Sequence, residues 1–461
     1  MLSYFCTKGL ENFTRKVEEL MLKQLSPKIW LAGVQWLFFM FTNTIVVPLS
    51  IGHAFHLPAE EIAGALQRSF ILTGVICILQ ALWGHRYAVM DGPAGIWWGL
   101  VLNLCTSAQS VGMSLTEVGG GLASGFLLAG LTMIILGSLG FASFLKKIFT
   151  PLVMGVSLFL LTIQLVMNFF KGSLGFNSAG EVDMKVAGLS IIIAVIVGLL
   201  HIKGSKFISS YSILIGILVG WIAYAWLIPT ASAAPTETGS LFALFPWGKP
   251  NMQWGIILTA FIVGLINMTN TITCLSTVEK LYQTTTTNAQ YKRSYVWTGL
   301  FTTFSACLGL LPFGLFTSSV GLLESTKILE RRALIIGGGM FAALGFIPAL
   351  SHLFSSLPAS VGNAVLFVAY LQMFGTSLRT IQGITFNSKT IYRIALPVLL
   401  GISIMNISPQ AFAMLPLYLR PLVSNGLVMG VVLSLLLESL VNWKKYELPL
   451  ASSPLAVSRG K

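Results

Sequence analysis

The feature that most constrains this chain is a succession of apolar runs, each about twenty residues long and nearly free of charge. A bilayer core needs about 20 such residues per helix. Runs of this kind lie near residues 29–51, 62–82, 120–140, 148–170, 186–202, 208–228, 254–275, 295–315, 333–352, 361–380, 391–407 and 419–440, and they predict twelve full-length membrane helices. Of the 461 residues, 55% are apolar and 9% are charged. Average soluble chains carry roughly 25% charged residues. So little charge cannot clothe a water-facing surface, but it suits one that faces lipid.

Two further segments are shorter and interrupted by glycine, proline or serine: Asp91–Cys105 (DGPAGIWWGLVLNLC) and roughly 316–328 (FTSSVGLLESTKI). With them the count of membrane segments is fourteen. Positive charge tests that count. With a cytoplasmic N-terminus, 23 of the 28 Lys and Arg fall inside, and only Arg68, Lys171, Lys185, Lys249 and Arg420 fall outside. This is the positive-inside bias. Dropping either short segment reverses every later loop and spoils the separation. The expectation is a multi-pass protein of the cell membrane, with a cytoplasmic segment at 1–27 and a cytoplasmic tail at 441–461. The net charge of +13 has the same origin. No nucleic-acid partner is expected, because the positive residues alternate with spans instead of clustering in one domain.

Four of the five cysteines lie inside apolar runs and none forms a C-x-x-C pair, so neither a disulfide framework nor a zinc site is expected. The first apolar run is too long for a signal peptide. No H-E-x-x-H, G-x-S-x-G, phosphate-binding loop or dinucleotide fingerprint occurs in a suitable context. The chain is therefore read as neither an enzyme nor an ATP-driven pump, and as needing no cofactor.

The segments divide seven plus seven, into 28–228 and 254–440, with a polar loop at 229–253 between them that is expected to be external. The interrupted segment is third in each half, at nearly the same distance from the start of the half. An odd number of crossings per half makes the halves oppositely oriented. Paired broken segments in inverted repeats point to a transporter's midplane site. A helix that starts inside the membrane presents free N–H groups and a partial positive charge. Gly92-Pro93-Ala94-Gly95 lets backbone approach a ligand closely. Ser318 and Ser319 stand where a half-helix begins and are expected to cap it. The competing reading is that these glycines serve only helix packing.

Three stretches resemble the nucleobase–ascorbate transporters, or nucleobase:cation symporters, which include uracil and xanthine permeases. Leu31–Gly52 (LAGVQWLFFMFTNTIVVPLSIG) is similar to the family's first helix; Gln35 matches its Gln, and Trp36 stands where His is usual. Leu79–Trp97 (LQALWGHRYAVMDGPAGIW) is similar to the run into a short third segment. Ser318–Lys327 (SSVGLLESTK) matches the family signature at Gly321, Thr326 and Lys327, and departs from it at Ser318 and Ser319. The resemblance implies an all-α polytopic fold of fourteen segments in a seven-plus-seven inverted repeat, with short strands before the two half-helices. It also implies a core domain (about 28–145 and 254–352), a gate domain (about 146–228 and 353–440) and a homodimer in the lipid bilayer.

The activity so implied is secondary uptake of a nucleobase by alternating access, coupled to H+. Carried over residue by residue, the substrate-binding set is Asn267, Thr271, Ser318, Ser319, Ala94, Gly95 and Gln35. Asn267 falls where the family has an acid, and Ser318 where it has Glu or Gln. Ala94 and Gly95 fall near a stacking aromatic, which Trp97, Trp98 or Trp36 would replace; their small size favours a purine over a pyrimidine. Asn267 cannot ionise, so either Glu324 or Asp91 carries the proton or transport is uncoupled. Each candidate has a structural alternative. Asn267 and Asn270 could simply bond between helices. Glu324 could pair with Lys327, and Asp91 with Arg86. Glu438, within the last helix, is a further membrane-depth acid. The competing function is an anion carrier of the same architecture, similar to sulfate permeases.

Overall fold

The computed structural model describes residues 27–108, 112–176, 181–228, 242–416 and 418–446. The expected amino-terminal segment, positions 229–241 of the loop and 447–461 of the tail lie outside the described residues.

Side-chain caps set several helix starts. Pro27 opens α1 (Pro27–Thr44), which resumes after Ile45 as α2 (Val46–Ala54). α3 (Ala59–Leu82) carries Glu60 and Glu61 in its first turn, where acidic groups favour the helix dipole. β1 (Asp91–Pro93) leads into α4 (Gly95–Ser107). A Ser114–Glu117 capping box starts α5 (Leu115–Leu139). Then come α6 (Ala142–Ile148), α7 (Pro151–Leu174) capped by Thr150, α8 (Met184–Lys203) capped by Asp183, and α9 (Lys206–Leu227) capped by Ser205.

The second half begins with α10 (Trp254–Tyr282). A Thr287–Gln290 capping box starts α11 (Asn288–Leu308). β2 (Phe313–Leu315), α12 (Ser319–Thr326), α13 (Arg331–Gly345) and α14 (Pro348–Ser355) follow. The chain continues as α15 (Ala359–Thr380), α16 (Tyr392–Met405), α17 (Arg420–Val423) and α18 (Gly426–Leu440).

Among the described residues, seven helices are long and apolar enough to cross a bilayer, or eight if the α13–α14 pair, bent by 82°, is one span. Three expected spans need correction. The run at 295–315 stops at Leu308, and its remainder forms a turn and β2. The run at 333–352 is kinked where Pro348 cannot continue the α13 hydrogen-bond ladder. The run at 419–440 breaks between Val423 and Gly426. Both interrupted segments are a strand followed by a short helix, as expected.

Packing repeats between the halves. α3 packs on α13, as α11 packs on α5; α1 on α13 matches α10 on α5. α8 with α9 matches α16 with α18, and α8 on α15 matches α16 on α7. α7 and α15 pack on each other, and β1 pairs antiparallel with β2. Exchanging the halves therefore maps each of these contacts onto another in the set, which is what an inverted seven-plus-seven repeat requires.

The matching pairs use the same device. A Cβ on Gly74 of α3 would lie 2.3 Å from the Gly338 carbonyl of α13, and one on Gly299 of α11 would lie 2.9 Å from the Gly130 carbonyl of α5. Helix–helix association in lipid relies on such close backbone approach. Gly74→Val is expected to destabilise the protein by about 1–3 kcal/mol or more through overpacking. Gly339→Val, where a Cβ meets open space, is the control for propensity. Equal thermal stability of the two variants in detergent would contradict this account.

Candidate substrate site

The site is built around a six-residue sheet. Asp91 pairs with Leu315, Gly92 with Gly314 and Pro93 with Phe313. The ladder extends at both ends, because the Ala94 N–H donates to the Pro312 carbonyl (3.0 Å) and the Phe316 N–H to the Met90 carbonyl (2.9 Å). Antiparallel pairing alternates, so the Phe313 and Leu315 carbonyls point away from β1. α10 meets them. Asn267 Nδ2 donates to the Phe313 carbonyl at 2.8 Å, and Asn270 Nδ2 to the Leu315 carbonyl at 2.7 Å. The two amides thus complete the free edge of β2 in place of a third strand.

That use occupies the donor of Asn267 but not its acceptor. Asn267 is 2% exposed, and its Oδ1 is buried without a partner. A Cβ on Gly314 would lie 2.8 Å from this oxygen and 2.9 Å from the Ala94 Cβ. Asn267, Gly314 and Ala94 therefore converge where α4 begins. The free N–H groups of that helix's first turn add a partial positive charge there. Thr271 is fully buried one turn further along α10.

An aromatic wall stands beside the same helix start. A Cβ on Gly95 would lie 3.2 Å from the Tyr370 hydroxyl of α15. Tyr370 packs on Phe169 of α7 (5.3 Å between centroids) and on Trp98 of α4 (6.0 Å). Trp98 packs on Phe169 at 4.8 Å and donates from Nε1 to Ser50 Oγ at 2.6 Å. Of the three tryptophans expected to offer a ring, only Trp98 stands in this wall. Trp97 packs on Phe126, and Trp36 on Phe39 and Gly337. Phe169 and Tyr370 escaped sequence reasoning, because an aromatic in an apolar helix looks the same whether it faces lipid or a site.

The other candidates divide. Ser319 is fully buried, and its Oγ accepts from the Met90 N–H (3.1 Å), which ties the start of α12 to β1. Ser318 is exposed and caps nothing, contrary to expectation. Its helical φ/ψ of −60°/−20° differs from the extended conformation that a cap needs. Gln35 lies half-buried on α1 with Oε1 unpartnered. Glu324 is exposed and forms no ion pair with Lys327, which the end of α12 turns to φ 57°. Asp91 does not pair with Arg86, which is exposed at φ 65°. It is fully buried, and its Oδ2 accepts from Gln80 Nε2 (2.8 Å) and Thr298 Oγ1 (2.7 Å). Glu438 is held by Arg393 in two bonds of 2.8 and 3.0 Å. An open pocket of about 560 Å³ beside Phe55, Glu117, Trp247 and Lys249 contains none of these candidates.

Two strand-led short helices meeting at the centre of an inverted repeat define a secondary-transporter architecture. The particular family follows from comparison: residues 27–409 match the model described as Permease family, Xan_ur_permease. The chain belongs to this family, and it is a transporter and not an enzyme. Similar proteins include Bacillus subtilis YwdJ, provisionally named a purine permease (27% identical, covering 91% of this chain and 97% of that one). The xanthine permease of B. subtilis is 26% identical over 89% of this chain and 93% of its own. The Paenibacillus larvae nucleobase transporter PlUacP is 24% identical over 90% and 94%. Among solved structures, the transmembrane domain of a cyanobacterial bicarbonate transporter, BicA, aligns with a TM-score of 0.62 at 14% identity, covering 89% of this chain and 96% of that one. At that identity the likeness speaks for the fold alone.

Proposed function

We propose that the chain takes up a nucleobase, with a purine preferred, by alternating access coupled to protons. The observation that carries this reading is the buried, unpartnered Oδ1 of Asn267. It is an acceptor held rigid by its own amide's bond to β2. A nucleobase offers N–H donors for that oxygen and carbonyl acceptors for the first-turn N–H groups of α4. Its flat face fits beside Trp98 and Tyr370. Small side chains at Ala94 and Gly95 let a purine's ring edge approach the backbone at the start of α4 once Tyr370 of the gate draws back. The names of the relatives, which include purine, xanthine and uric acid permeases, support the same substrate class.

The packing supports movement of two bodies. α1, α3, α5, α10, α11 and α13 pack among themselves around the strands, while α7, α8, α9, α15, α16 and α18 form a second group. In this reading the first group is the core, the second is the gate that forms the homodimer, and Tyr370 is the gate's contribution to the site. The distribution of Lys and Arg supports cytoplasmic termini in the cell membrane.

The test is uptake of labelled xanthine, hypoxanthine, guanine, urate and uracil into proteoliposomes. Absence of uptake of every base above protein-free vesicles would sink the reading, and flux of bicarbonate or sulfate instead would favour the anion alternative. Tyr370→Ala is expected to weaken base binding about tenfold through lost stacking. Tyr370→Phe is expected to stay within about threefold of the unaltered protein, because it keeps the ring. If both variants lose binding equally in an equilibrium assay, the hydroxyl matters and the stacking role is wrong.

A further inference from the structure

We propose that Asp91 is the positioning residue through which proton uptake is coupled to the substrate site, acting through the β1–β2 pair. This rests on the nucleobase-transport reading above and assigns its coupling step. The carboxyl is buried, and among the described residues no salt bridge reaches it. Asp91 is 0% exposed. Its Oδ2 takes both neutral donors, Gln80 and Thr298, while Oδ1 has no partner. Gln80 Nε2 also reaches Thr298 Oγ1 (3.0 Å) and the Ser294 carbonyl (3.2 Å), so one amide gathers α3, β1 and α11 around the acid.

The groups facing Asp91 are two thiols and neutral hydroxyls and amides. From α3 comes Cys77, whose Sγ lies 3.3 Å from the Asp91 carbonyl oxygen and 3.4 Å from its N. From α10 comes Cys274. α11 offers Ser294 and Thr298 but no titratable side chain; its Tyr295 hydroxyl is spent on the Met268 carbonyl. α12 offers Ser319, which holds the Met90 N–H. No Lys, Arg or His is bonded to Asp91 among the described residues. A charged carboxylate without a counter-ion at membrane depth is costly and marks ion pathways by default.

The position explains how its charge is felt. Asp91 begins the strand that ends at Pro93 and passes through Ala94 into α4. Its register partner, Leu315, is the residue whose carbonyl Asn270 holds. A proton binding a lone pair of Oδ1 neutralises the acid and weakens the Oδ2 bonds that fix β1 to α3 and α11. Any shift of β1 moves Ala94 and the first turn of α4 against Asn267. The proton leaves from the same oxygen when the site opens to the other side. Glu324 is exposed and has no such connection to the strands.

The experiment uses the full chain in proteoliposomes, with labelled xanthine and an imposed pH gradient. Asp91→Asn, which keeps an acceptor for Gln80 and Thr298 but cannot take up a proton, is expected to bind xanthine with an affinity that no longer changes with pH and to exchange internal for external base. It is expected to lose accumulation and to show a flat pH profile. Thr298→Val removes one donor to the carboxylate and is expected to accumulate base with its pH midpoint moved by about half a unit or more. Gradient-driven accumulation by Asp91→Asn with the ordinary pH profile would overturn the proposal. So would loss of wild-type accumulation when sodium is replaced by choline, which would assign the coupling to a metal cation. If Asp91→Asn does not fold, an unmoved profile in Thr298→Val overturns the proposal and a moved one supports it. Failure of the unaltered protein to bind any base would instead refute the transport reading.

Discussion

Asn267→Ala is expected to weaken nucleobase binding by about 100-fold. Two losses add up. The ligand loses one acceptor, worth about 1–1.5 kcal/mol, and the buried Phe313 carbonyl loses its only side-chain donor, at about 1–3 kcal/mol. Together they come to roughly one and a half to three tenfold steps. Part of the second loss falls on the empty protein, so about 100-fold is the lower half of the range. Asn270→Ala is the graded comparison. It also frees a strand carbonyl, but Asn270 is only half-buried, and water can replace its amide. Its effect is expected to be about tenfold or less. Asn267→Asp separates the two roles by pH. A carboxylate cannot donate to Phe313, whereas a protonated acid can, so binding is expected to recover as pH falls. Equilibrium binding of labelled xanthine reads all three variants. If Asn267→Ala binds within about threefold of the unaltered protein, Asn267 is a strand clamp and nothing more.

Much of the fold was legible because lipid imposes a length and a polarity on each segment. The interrupted runs were legible for the same reason. A strand cannot stand alone at membrane depth, so DGPAG and the stretch before SSVGLLESTK had to be buried against protein. The span at 295–315 misled because its end is apolar: Leu310–Leu315 is as hydrophobic as a helix end, yet it is a turn and strand. Periodicity cannot separate short apolar strands from helix. Asn267 was singled out by a resemblance, which set it where the family has an acid, and by an amide that can both donate and accept. The sequence could not say which of its atoms the protein itself would use. The amide nitrogen is taken by the Phe313 carbonyl, and the oxygen is buried without a partner. Ser318 and Ser319 were indistinguishable in sequence, and one residue of register separates a buried strand anchor from an exposed turn. Tyr370 and Phe169 join Trp98 only through long-range packing, which no local pattern encodes.

Glu438 makes the same point from the side of stability, and it sets the second large effect. An acid within the last apolar run reads as a functional candidate, yet Arg393 grips it with a two-bond fork, and Thr150 Oγ1 donates to it at 3.3 Å. The side chains are 10% and 8% exposed, and the guanidinium lies 5.3 Å from the Trp443 ring centroid. The cluster joins the starts of α7 and α16 to the end of α18. Arg393→Ala is expected to destabilise the protein by about 3–5 kcal/mol, because it leaves a buried carboxylate uncompensated. Glu438→Gln should cost less, since the amide oxygen still accepts a bond from Arg393 and the guanidinium left without its counter-charge is delocalised and lies against Trp443. The informative variant removes both charges: Arg393→Met with Glu438→Leu is expected to regain most of the loss, as apolar replacements of buried pairs often do. Thermal inactivation of substrate binding in detergent orders the four proteins. A double variant no more stable than Arg393→Ala would mean that the stacking of Arg393 on Trp443, and not its pairing with Glu438, holds these helix ends together.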